Sequence, residues 1–164
     1  SSITLNGSAV SLGGSATVDN TPLFFAHSST GQSVSSGTWT KVTLSTEVVD
    51  TDNAFASSKF TIPSDKSGKY MLQGSLNTYT NNDTTNASVA IYKNGSVLAT
   101  TYNFIMVTDQ DVRHITVDVT TIDDASVGDY YELYGYISGS TPQFSHDGAT
   151  PRSTNFLGYK LIGA

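Results

Sequence analysis

Val89-Ala90-Ile91-Tyr92-Lys93-Asn94-Gly95-Ser96-Val97-Leu98-Ala99 decides the fold class of this chain. Two short runs of β-branched, aliphatic and aromatic residues flank Asn94-Gly95, the dipeptide best able to supply the two positive φ values of a type I′ turn. The segment reads as a β-hairpin. Outward from it the period stays at two. Thr40, Val42 and Leu44 alternate with Trp39, Lys41 and Thr43; Tyr70, Leu72, Gly74 and Leu76 alternate with Lys69, Met71, Gln73 and Ser75; Ile115, Val117 and Val119 alternate with Thr116, Asp118 and Thr120. Each pattern predicts a half-buried strand. Turn residues punctuate the chain at 63–68, 127–129 and 138–142, and no stretch has helical spacing. Eight to ten short strands so spaced predict an all-β sandwich, jelly roll or barrel.

The 164 residues suit one compact domain. Residues 1–20 are small and hydroxyl-bearing, which predicts an extended N-terminal lead-in from a longer chain, with the head domain at 21–164. A start at Ser1-Ser2 without Met fits a processed piece. The polar stretches 78–86 and 138–154 are expected to be exposed loops. Ser and Thr make up 46 of the 164 residues while charged residues are 13%, against a usual charged fraction of about 25%. Eight Lys and Arg against fourteen Asp and Glu cannot form the basic stripe that binds nucleic acid, and an anionic membrane would repel the net charge of −6. No apolar run reaches the ~20 residues of a membrane span. With no cysteine, disulfide frameworks, thiolate zinc sites and cysteine nucleophiles are all excluded.

Two strands are apolar on both faces. In Phe156-Leu157-Gly158-Tyr159-Lys160-Leu161-Ile162, Leu157, Tyr159 and Leu161 point one way and Phe156 and Ile162 the other. In 129–137, Tyr131, Leu133 and Ile137 suit a core while Tyr130, Tyr134 and Tyr136 line the opposite face beside Glu132. A strand covered on both sides in a helix-free sandwich calls for a neighbouring subunit. Tyr134, Tyr136, Tyr159 and Leu161 are the expected subunit-interface residues.

From Leu23 onward the chain resembles the globular heads of the complement C1q and tumour-necrosis-factor superfamily. Phe25-Ala26 is similar to the opening F-x-A strand, and Val49-Asp50 with Asn53-Ala54-Phe55 to the D-x-x-N-aromatic segment. Phe60-Thr61-Ile62-Pro63 with Gly68-Lys69-Tyr70 resembles the F-x-x-P…G-x-Y signature, and Lys93-Asn94-Gly95 the K-N-G hairpin. Val127-Gly128-Asp129-Tyr130-Tyr131 resembles the G-D-x-V strand start, and 156–161 the closing F-x-G-F-x-L strand. Tyr131 stands where the family usually has Val, and Lys160 interrupts the closing strand. The resemblance implies a two-sheet antiparallel jelly-roll sandwich that forms homotrimers. The first twenty residues are loosely similar to segments that precede terminal domains of tailed-phage fibres.

Catalytic and metal-binding patterns are sparse. G-x-S-x-G is absent, and His27, His114 and His146 stand beside Ser and Asp no more often than this composition supplies by chance. Asp50-Thr51-Asp52-Asn53 begins like a calcium loop but has Phe55 at the sixth position and Thr61 at the twelfth, so it is no EF-hand. The D-x-D pair Asp109/Asp111 is the candidate for Ca²⁺; no other cofactor is expected. Binding is sought in aromatic residues next to amides and hydroxyls, a combination suited to sugars: Tyr79, Asn81, Asn82 and Asp83 in one loop, and Tyr102, Asn103 and Phe104 in another.

The sequence therefore predicts a non-enzymatic homotrimeric head that attaches a phage fibre or similar extracellular virion appendage to a host cell-surface receptor, glycan or protein. The alternatives are a structural trimerisation cap or virion decoration without ligand, and a polysaccharide-cleaving enzyme.

Overall fold

The computed structural model describes residues 3–5, 8–10, 20–81, 84–104, 112–145 and 152–162. The period-two pattern produces fifteen strands among them: β1 (Ile3–Leu5), β2 (Ser8–Val10), β3 (Leu23–His27), β4 (Gln32–Ser33), β5 (Thr40–Lys41), β6 (Thr46–Asp50), β7 (Phe55–Ala56), β8 (Lys59–Thr61), β9 (Gly68–Tyr79), β10 (Asn86–Lys93), β11 (Ser96–Phe104), β12 (His114–Ala125), β13 (Tyr130–Ser138), β14 (Gln143–Phe144) and β15 (Asn155–Lys160). Among the described residues β1 and β2 pair with each other alone, as a short antiparallel pair. The rest form two antiparallel sheets. One runs β12-β9-β15-β3-β6, with β14 and β4 beside the far end of β9; the other runs β11-β10-β13-β8-β7, with β5 also on β13. From β9 onward four of the six connections cross between the sheets, as in a jelly roll.

The core lies between the sheets. Tyr70, Leu72, Leu76, Phe24 and Phe156 point in from one, and Phe60, Val89, Ile91, Tyr131, Leu133 and Ile137 from the other. The Phe24 ring centroid sits 4.3 Å from that of Phe60 and 5.0 Å from that of Phe156. Glycines on inward positions receive bulky neighbours from the facing sheet: a Cβ on Gly135 would stand 2.6 Å from Leu76 Cδ2 and from Phe144 Cζ. Interdigitation of this kind brings the two sheets close enough to exclude water.

The hairpin is as the sequence implies, with Asn94 and Gly95 at φ 52° and 80° and Lys93 opposite Ser96. Four expectations change. β9 and β12 are 12 residues each, longer than their apolar cores suggested. Val42 and Leu44 are buried although the strand there ends at Lys41. Residues 78–86 are not simply an exposed loop, because Thr78, Thr80 and Thr84 are buried, with the Thr78 hydroxyl donating to the Ile115 carbonyl and the Thr80 and Thr84 hydroxyls bonded at 2.9 Å. Likewise the 138–154 excursion sends Phe144 and Thr154 into the interior. Threonine counts as polar in a pattern, yet its methyl packs and its hydroxyl can be satisfied by backbone.

Candidate functional site

Of the two candidate binding clusters, Tyr102-Asn103-Phe104 lies on the edge strand β11. Tyr102 faces Ser88 across the ladder and Phe104 faces Asn86, which puts both rings on the outer face of the six-stranded sheet; Asn103, opposite Ala87, has the other pleat orientation. Tyr102 and Phe104 are 56% and 73% exposed, and their planes lie within 10° of parallel at 6.3 Å. Trp39 stands at 84° to Tyr102, 6.1 Å away, and leans on Tyr136 at 5.5 Å. Farther along the same face Tyr134 stacks on Tyr92 at 4.1 Å, and Lys41 pairs with Glu132 at 2.6 Å. Burial and Glu132 push the Tyr134 hydroxyl above its ordinary range. The outer face of this sheet is therefore paved with aromatic rings. Sequence reasoning did not give Trp39 or Tyr136 to this cluster, although Trp39 is the single tryptophan and sits on the outward phase of its strand pattern.

Tyr79 belongs to the other sheet. Its ring packs 4.8 Å from His114, and its hydroxyl donates to Asn81 Oδ1 at 2.9 Å. Asn82 and Asp83 lie outside the described residues. The register sets Tyr79 and Phe104 at the same end of the sandwich, because β9 ends there, β10 begins there with Asn86 opposite Phe104, and β12 begins with His114 opposite Tyr79. They nevertheless occupy outer faces of opposite sheets.

The same geometry divides the four expected interface residues. Tyr134 and Tyr136 face outward from the six-stranded sheet, whereas Tyr159 faces outward from the seven-stranded one, and Leu161 follows it just past the end of β15. The two pairs therefore lie on different surfaces of one chain. Around Tyr159 the registers assemble a belt of apolar side chains: Val49, Phe25 and Leu157 in one row, and Leu23, Tyr159, Met71 and Ile122 in the next. Ile122 is 61% exposed, and the Arg152 guanidinium lies 5.6 Å over the Phe25 ring. Ile162 falls beyond the strand and is exposed, so it does not share the inward face of Phe156.

Two of the motifs that carried the family resemblance meet at the opposite end of the sandwich. Asn94 Nδ2 donates to Asp129 Oδ1 at 2.8 Å, and the Tyr130 N–H donates to Asn94 Oδ1 at 3.0 Å. Lys93 pairs with Asp123 at 2.6 Å and with Asp129 at 3.1 Å. The K-N-G turn is thus clamped onto the G-D strand start. The Asn94 amide and the Ser126 N–H, against a smaller desolvation and then helped by Lys93, hold the Asp129 carboxyl at about 2. Desolvation works against the Lys93 ammonium, but Asp123 and Asp129 together raise it above its ordinary value. Tyr131 is accommodated because its buried hydroxyl donates to Asp123 Oδ2 at 2.6 Å; burial and that bond push it well above the usual phenol range.

These groups are occupied structurally. Asp50 accepts the N–H groups of Ala54 and Phe55, each at 2.9 Å, which explains the calcium-like sequence as a turn cap. His27 Nδ1 donates to the Ser28 carbonyl. Among the described residues no three His, Asp or Glu side chains converge as metal ligands. Asp109, Asp111 and His146 lie outside the described residues.

No family model and no curated protein matches the chain. Solved structures do. The globular domain of zebrafish complement 1qA superposes with a TM-score of 0.61 at 11% identity, over 86% of this chain and 98% of that one. Murine APRIL gives 0.59 at 12% identity, over 85% and 98%. Eiger TNF from S. frugiperda gives 0.64 at 11% identity, over 87% and 93%. Among the described residues no helix is long and apolar enough to cross a membrane. The likenesses cover nearly the whole of each neighbour and establish that this chain has the C1q/TNF-like jelly-roll fold.

Proposed function

We propose that the chain is a homotrimeric, non-enzymatic binding head at the tip of a phage fibre or similar extracellular appendage, where it attaches to a host surface receptor. The observation that carries this reading is the division of labour between the two outer faces. The seven-stranded sheet presents an apolar belt around Leu157 and Tyr159 that suits self-association, and the six-stranded sheet presents aromatic rings among neutral polar groups. Receptor binding and trimerisation then use different surfaces and do not compete. Three weak sites per head, and several heads per particle, gain avidity without any one tight site.

Labelled head domain incubated with a panel of bacterial envelopes tests this. Saturable binding to some envelopes with no release of reducing ends is the expected outcome. Binding accompanied by reducing-end release replaces the reading with a depolymerase, and failure to bind any envelope leaves a structural cap.

A further inference from the structure

We infer that Trp39, Tyr102, Phe104 and Tyr136 form a stacking platform for a neutral oligosaccharide. The inference rests on the binding-head reading and assigns its site and ligand chemistry. It differs from the loop-centred expectation in two ways: the rings are held on strands rather than loops, and Asn103 and Tyr79 are not part of it.

Three features point to a sugar. The first is exposure of flat apolar surface at a cost. Burying a Phe side chain is favourable, and Phe104 at 73% exposure forgoes most of that gain within the isolated chain. The second is geometry. Two near-parallel rings with centroids 6.3 Å apart on alternate residues of one strand offer flat apolar surface against which a sugar ring can pack. Trp39, almost perpendicular to Tyr102 and propped by Tyr136, makes an upright wall beside them. Carbohydrate C–H groups pack on the electron-rich ring faces that such a corner presents.

The third is charge and the nature of the intervening polar groups. Asn86 and Thr100 bring an amide and a hydroxyl to the same face, and none of the residues of the platform is charged. The ion pair farther along, Lys41 with Glu132, is self-neutralising at 2.6 Å. A polyanion or phosphate finds no counter-charge on the platform. Ser88 is fully buried, and its hydroxyl donates to Asn86 Oδ1 at 2.8 Å and holds that amide in place; the Thr100 hydroxyl donates to the Val89 carbonyl at 3.1 Å, which leaves its oxygen to accept. Aromatic faces among neutral hydrogen-bonding groups match a molecule with apolar C–H faces and hydroxyl edges.

Trp39 is the only tryptophan, so its emission reports on this face alone. The intact protein is first exposed to an array of neutral and acidic glycans, and each captured glycan is then titrated as a free oligosaccharide while Trp39 emission is followed. The expected result is capture of neutral glycans and a saturable emission change. In the Tyr102→Ala/Phe104→Ala variant, whose replaced rings are exposed and whose far-UV dichroism should be unchanged, the dissociation constant rises by about tenfold or more. Tyr79→Ala should leave affinity unaltered. Three outcomes overturn the inference: capture of acidic glycans alone, capture of none, or unchanged affinity in the double variant. If the double variant still binds envelopes like the parent, the platform falls while the binding head stands; if the parent binds neither glycans nor envelopes, both fall.

Discussion

Replacing Tyr159 by Glu separates assembly from folding. In one chain Tyr159 lies on the outer face of the seven-stranded sheet, between Leu23 and Met71, and is only half-buried. A carboxylate there can stay hydrated, so the isolated fold should lose no more than about 1 kcal/mol. In a trimer packed through this belt, each of three copies would take a carboxylate out of water. At about 3 kcal/mol each, the low end of the effective penalty for an unpaired buried ion, the trimer loses about 9 kcal/mol, which is roughly a millionfold in the overall association constant. Light scattering coupled to size exclusion should therefore find the parent at three times the 17.4 kDa chain mass and Tyr159→Glu at the single-chain mass, with the same far-UV dichroism. Tyr134→Glu is the matched control. It sits on the opposite sheet with Lys41 as register partner, and should cost about 1 kcal/mol through loss of its stack on Tyr92 while leaving the trimer intact. A Tyr159→Glu protein that remains trimeric, or a dissociated Tyr134→Glu protein, refutes the assignment of the assembly face.

Other consequences follow from the packing and the clamp. A methyl added by Gly158→Ala would lie 2.6 Å from Leu72 Cδ2, 2.7 Å from Phe24 Cε1 and 3.1 Å from the Met71 carbonyl oxygen, the last fixed by the β15–β9 ladder; urea denaturation should show a loss of about 1–3 kcal/mol. Gly128→Ala meets nothing within 4 Å, so only its positive φ of 86° should cost, about 1 kcal/mol. Asp129 is held at about 2 against an ordinary value of 3.8. A depressed carboxylate stabilises above its unfolded value and loses that contribution as pH falls, so stability should drop between about pH 4 and pH 2 by on the order of 1 kcal/mol more in the parent than in Asp129→Asn. Lys93→Met removes the ammonium shared by Asp123 and Asp129, leaving Asp123 with the Tyr131 hydroxyl and Asp129 with the Asn94 amide and the Ser126 N–H, and should lower the unfolding free energy by about 2 kcal/mol, read by thermal melting.

Much of the fold was legible because its signals are local. Asn94-Gly95 dictates a turn through φ alone, and the alternation through 70–76, 115–119 and 131–137 marks the inward face without knowledge of the partner strand. The six motifs could suggest the topology in order, and the structure gives a physical reason for two of them: K-N-G and G-D are one clamp. The candidate site was only half legible. Tyr102 and Phe104 could be chosen for their exposure-prone neighbours, but Trp39 joins them from 63 residues upstream through β5, whose pairing with β13 no local pattern announces. For the same reason Tyr134 and Tyr159 looked alike in sequence. Each lies on the outer face of a strand, and only the sheet order shows that those faces look away from each other.

Native mass spectrometry of the purified chain with a neutral oligosaccharide captured from the glycan array tests the central claim, a trimeric head that binds without cleaving. The predicted spectrum holds ions at three times the 17.4 kDa chain mass carrying one to three intact oligosaccharides. Ions at the single-chain mass alone, trimers without adducts, or adducts of shortened sugar would contradict it.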